Sequence, residues 1–184
     1  MSHVFRYFGC CLMSVSLAAC SPSMNWREVR PSSTKLQALM PCKPDEAVRM
    51  VTLDGRAVQM HLAGCDAGGA TFVIGWVTTP VQYLGATLGA WQDSTLSLAG
   101  VASGPDAPAG KPFVPVGTLA LPQAVRLQAT GLSTDGGALP LDAAWFADSG
   151  GAGALEGQAI FAAIYRAPSA SDAATTFFSG LRLR

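Results

Sequence analysis

Charge is scarce in this sequence, and what there is cancels. Lys plus Arg number 12 and Asp plus Glu number 12 among 184 residues, so the formal net charge is zero. Charged residues make up 13 % of the chain, about half of the roughly 25 % usual for globular proteins. No basic stripe is visible, which removes the electrostatic footprint of a nucleic-acid partner. Aromatics are also few, at 8 %, and alanine carries much of the 49 % hydrophobic fraction. Histidine occurs only at His3 and His61. Several catalytic and cofactor signatures are missing: there is no G-x-S-x-G serine, no C-x-x-C, no H-E-x-x-H and no acidic calcium loop. The glycine-rich "GCDAGGA" lacks the G-x-G-x-x-G spacing and reads as a strand turn, so no cofactor is expected.

What is there begins at the N-terminus. Met1 to Tyr7 carries one firm positive charge, Arg6, and Phe8 to Ala19 is apolar or small throughout. That run falls short of the about 20 apolar residues that span a bilayer. A short basic start, a short apolar stretch and small residues before a break predict a secretory signal peptide over 1–19. A buried N-terminal helix is the weaker reading.

The break itself reads "LAAC". It resembles the lipobox of bacterial lipoproteins, with Leu17, the small Ala18 and Ala19, and Cys20. The resemblance implies that Cys20 takes diacylglycerol on its sulfur, that 1–19 is cut away, and that the new amino group is acylated. A thiol is needed for the thioether, and more than one acyl chain gives lasting attachment where a single chain is marginal. Ser21 stands where an Asp would favour inner-membrane retention in enteric bacteria. The resemblance therefore implies the outer membrane, facing the periplasm, over the inner membrane.

This processing simplifies the five cysteines. Cys10 and Cys11 leave with the signal peptide, Cys20 is lipidated, and Cys42 and Cys65 remain. An isolated pair in an oxidising periplasm is expected to form a disulfide. The alternatives are a reactive thiol or a metal site that adds His61. A strand would hold His61 and Cys65 about 13 Å apart, too far for one ion, so no metal is expected.

Residues 20–34, rich in Ser and Pro, read as the lipidated cysteine and a tether, on which Trp26 and Val29 are able to dock. Residues 35–184 read as a single α+β domain. Leu36 to Met40 is a short apolar stretch. Ala47 to Leu53 alternates, Asp54-Gly55 is a hairpin signal, and Ala57 to Ala63 returns. Ala70 to Val77 is nearly continuously apolar, as in a strand covered on both sides. The spacing predicts a helix over Val81 to Leu98, with Tyr83, Leu84, Leu88, Trp91 and Leu98 on its apolar stripe. An irregular excursion follows to Pro122. Strands are then predicted over 124–131, 139–147 and 157–166, and a closing helix over 171–179 anchored by Phe177 and Phe178. The sum is an antiparallel sheet of about six strands with a mid-chain and a C-terminal helix.

The segments "LMPCKPDEA", "LDGR" and "AATTFFSGLRL" resemble the plan of PsbP/Mog1-like domains over most of 35–184. That resemblance implies a fold and no activity. Through "NWREVR" and "PCKPD…GC…GGATF" the chain also resembles uncharacterised proteobacterial lipoproteins. Two functions follow as expectations. The first is a non-enzymatic, membrane-anchored accessory or binding protein of the cell envelope. Its sheet face or a sheet–helix cleft would dock a protein partner, an envelope component or a small ligand, with Trp76, Trp91 and Trp145 as candidate aromatics near it, although a plain core position is the favoured reading of each. The second is a periplasmic enzyme using His61 with an unidentified carboxylate, although a plain sheet-surface histidine is the favoured reading of His61.

Overall fold

The computed structural model describes residues 24–101, 108–166 and 172–184. The predicted signal peptide and Cys20 lie outside the described residues. The architecture is α+β and mostly sheet, with two antiparallel sheets. Ten strands occur among the described residues: β1 (Arg27–Val29), β2 (Leu36–Met40), β3 (Asp45–Leu53), β4 (Arg56–Ala67), β5 (Ala70–Pro80), β6 (Lys111–Pro112), β7 (Val125–Leu132), β8 (Ala138–Asp148), β9 (Glu156–Tyr165) and β10 (Arg182–Leu183). Two helices accompany them, α1 (Leu84–Leu98), preceded by a 3₁₀ turn over Val81–Tyr83, and α2 (Asp172–Ser179). The larger sheet runs β3-β4-β5-β9-β8-β7-β6 and the smaller runs β1-β2-β10.

The large sheet is a middle layer, because its central strands are apolar on both faces. One face packs Phe72, Ile74, Trp76, Phe146, Ile160 and Ile164 against β2, β10 and α2. Phe72 meets Phe177 of α2 edge to face at 5.5 Å and 71°, a geometry that contributes about 0.5–1.5 kcal/mol beyond area burial. The other face packs Val77, Trp145 and Phe161 against Leu84, Leu88 and Trp91 of α1. Where β8 and β9 pair, Ala143 opposes Ala163, Ala144 opposes Ala162 and Ala147 opposes Ala159. All six alanines are fully buried. These small side chains leave room for the larger Trp145, Phe146 and Phe161, and this is where the alanine-rich composition is used.

Several expectations need correction. The strand count is ten, not about six, because β1, β6 and β10 are two or three residues long and carry no readable period. The predicted tether reaches into the fold: β1 pairs Arg27 with Met40 and Val29 with Ala38. Trp26 stands edge-on to Phe72 at 6.0 Å. The turn read as "GCDAGG" is only Gly68-Gly69, both at positive φ, and β4 continues through Cys65, which opposes Phe72. On α1 the buried stripe is Leu84, Thr87, Leu88, Trp91 and Thr95. Leu98, expected on that stripe, is 88 % exposed, and Tyr83 is 41 % exposed. The expected disulfide, by contrast, is present: Cys42 and Cys65 are joined, with their Cα atoms 6.1 Å apart. The bridge ties the turn after β2 to β4 and so fixes the small sheet against the large one.

Candidate functional site

A cavity of about 540 Å³ lies between α1 and the large sheet. Its size falls within the roughly 300–1,000 Å³ of small-molecule sites. Alternation along the strands explains its floor. Val51 and Leu53 of β3, Met60 and Leu62 of β4, Val73 of β5, and Phe161 and Tyr165 of β9 all face α1 and line it, with Leu139 of β8. The last turns of α1 form the roof through Trp91, Ser94, Thr95, Leu98 and Ala99. Gly75 belongs to this arrangement. A Cβ there would stand 3.0 Å from Leu62 Cδ2 and 3.2 Å from Trp91 Cζ2, so the glycine lets the indole lie close on the sheet.

The lining is chemically plain. No Asp, Glu, Lys, Arg or His lines the cavity among the described residues. Ser94, Thr95 and Tyr165 bring hydroxyls to the lining, whereas the Thr52 side chain alternates to the other face of β3 from Val51 and Leu53. Thr95 Oγ1 donates to the Trp91 carbonyl at 2.8 Å, which leaves Tyr165 as the aromatic hydroxyl at the floor. Burial pushes the Tyr165 phenol above its ordinary range, because the charged form would lose its hydration. It therefore stays protonated at neutral pH and offers a hydrogen-bond donor. Such a space suits a mainly apolar, uncharged molecule with one hydrogen-bonding group.

The three tryptophans expected near a binding surface separate. Trp91 reaches the cavity. Trp76 and Trp145 are 1 % and 0 % exposed, and their Nε1 atoms have no partner among the described residues. They are core residues, the reading the sequence favours for each over a place at a binding surface. The unbroken apolar run around Trp76 already signalled a strand covered on both sides.

His61 lies on the opposite face of β4 from Met60 and Leu62. It faces Trp76 across the β4–β5 ladder, and the two rings stack at 5.3 Å and 16°. No hydrogen bond joins His61 to a carboxylate among the described residues. The His61, Cys42 and Cys65 triplet is not a ligand set, because both thiols are spent in the disulfide. One spacing escaped the sequence reading: Ser32 and Lys35 stand in S-x-x-K order. The structure gives them separate partners, with Ser32 Oγ donating to Glu46 Oε2 at 3.0 Å and Lys35 Nζ donating to the Gly150 carbonyl at 2.9 Å.

Comparison of the chain with protein families, with curated proteins and with solved structures finds no match.

Proposed function

We propose that this chain is a lipid-anchored, non-enzymatic binding protein of the cell envelope. It is held at the outer membrane, facing the periplasm, through Cys20. In this reading it carries an uncharged, mainly apolar molecule in the cavity beneath α1. The observation that carries the proposal is the cavity lining: among the described residues, fourteen line it, with no carboxylate, ammonium, guanidinium or imidazole. A reaction that moves protons at neutral pH needs groups that titrate near it, and Tyr165, pushed upward, is not one. The PsbP/Mog1-like plan belongs to the proposal as a description of fold alone. The enzymatic alternative rests on His61, which lies on the other face of the sheet and stacks on an indole.

The anchor supports the choice of ligand. Six residues lie between Cys20 and Arg27, where β1 begins, and the seven Cα-to-Cα steps reach roughly 25 Å at full extension. The domain would then stay close to the head groups, where apolar molecules are concentrated. An envelope protein partner would be the source or recipient of the cargo.

Two measurements test this reading. Cys20→Ala is expected to release the protein from the membrane fraction, and full membrane retention of the variant would refute the anchor. The cavity is tested with N-phenyl-naphthylamine, an uncharged fluorophore that brightens in apolar sites. It should bind saturably, and a long-chain alcohol should displace it. Displacement by inorganic phosphate but not by the alcohol would refute the apolar site.

A further inference from the structure

The two edges of the large sheet are treated differently. At one end β6 is two residues long, Lys111 and Pro112, a short, proline-bearing edge of the kind that discourages further pairing. At the other end β3 is nine residues long, and six consecutive residues, Asp45 to Met50, are exposed. Val48 and Met50 are 53 % and 67 % exposed. Asp45 and Arg49 make no ion pair or side-chain hydrogen bond among the described residues.

We infer that β3 pairs with β3 of a second copy of this chain, about a twofold axis at Ala47. The charge pattern selects that register. Two antiparallel copies related by an axis normal to the sheet keep their faces on the same side, so each residue opposes one of equal parity. An axis at Glu46 sets two carboxylates against each other, and one at Arg49 sets two guanidiniums against each other. An axis at Val48 leaves every charge unmatched. The axis at Ala47 places Asp45 opposite the partner's Arg49 and Arg49 opposite the partner's Asp45. Two cross-strand ion pairs result, with the small Ala47 side chains meeting at the centre. Opposite charges directly across a ladder are stabilising, and like charges are destabilising. One added strand pair is smaller than a standard interface. The dimer is accordingly a weak one that confinement of both copies to one bilayer strengthens.

The full chain, in membranes and after purification, tests the register. At the axis the two Cβ atoms stand about 4.5–5.5 Å apart, close to disulfide range. Ala47→Cys should give several-fold more disulfide-linked dimer on mild oxidation than Leu155→Cys, a position 85 % exposed and away from β3. In the Ala47→Cys background, Arg49→Asp should reduce linkage to the Leu155→Cys level, and adding Asp45→Arg should restore it. Linkage no greater than that of Leu155→Cys overturns the proposal. So does indifference to Arg49→Asp, failure of the charge exchange to restore linkage, or capture of a different protein in place of a second copy. None of these results depends on the cavity being occupied.

Discussion

Replacing Arg126 with methionine is expected to destabilise the fold by about 3–5 kcal/mol, the cost of stranding a buried charge. The Asp142 side chain is 3 % exposed. Arg126 holds it with both arms of its fork: Nε donates to Oδ1 and Nη2 to Oδ2, each at 2.7 Å. Gln128 Nε2 adds a third donor at 2.9 Å. The same guanidinium lies 3.8 Å above the Phe178 ring, so one side chain joins β7, β8 and α2. Without it the carboxylate keeps only Gln128 as a named donor, and α2 loses its lid over the ring. The loss should appear as a lower urea midpoint at unchanged slope. The double variant Arg126→Met with Asp142→Leu should recover most of it, since two apolar groups of similar shape remove the stranded charge. A loss below about 1 kcal/mol for Arg126→Met, the range of exposed pairs, would show that water reaches Asp142.

Gly131→Ala is expected to loosen the C-terminal end of α1. A Cβ at Gly131 would collide with the Ala99 carbonyl oxygen and crowd its carbonyl carbon at 2.9 Å, both of them backbone atoms. That oxygen accepts the Leu132 N–H at 2.8 Å, the bond that docks the end of α1 on β7. The helix end must move, and the bond must break or stretch. Overpacking of this kind costs about 1–3 kcal/mol, occasionally more. Because Ala99 roofs the cavity, the change should also raise amide exchange across 95–101 while leaving β3 to β5 protected. Equal protection of 95–101 in both proteins would place the close approach elsewhere.

Much of the fold was legible because it is written in local period and turn chemistry. Asp54-Gly55 makes a tight hairpin that closes β3 on β4, with both residues at positive φ. The apolar run of β5 announces a strand covered on both faces, and the strands predicted over 139–147 and 157–166 are found as β8 and β9. Phe177 and Phe178 anchor α2, with exposures of 0 % and 3 %. The expected pairing of Cys42 with Cys65 is present as a disulfide. The rest depends on distant partners. β1 and β10 are strands only because β2 lies between them. β5 lies beside β9 across a long sequence separation, which no local pattern encodes. The cavity was the least legible feature. It is the space left where α1 crosses the sheet, and Val51, Val73 and Tyr165 share it through register alone. Leu98 shows the limit of periodicity, since a helix stripe tells which residues are apolar and not how far the partner surface extends.

The central claim is that the space beneath α1 is a binding site, and one titration tests it most directly. The full chain is held in nanodiscs and titrated with N-phenyl-naphthylamine, with empty nanodiscs subtracted. The same titration is run on Val73→Trp and on Ser94→Trp, which fill the floor and the roof. Circular dichroism and melting curves establish that each variant is folded. The account predicts a saturable signal from the unmodified chain and affinity weakened about tenfold or more, roughly 1.4 kcal/mol, in both filled variants. Equal affinity in all three proteins, or no signal above empty nanodiscs, would contradict it.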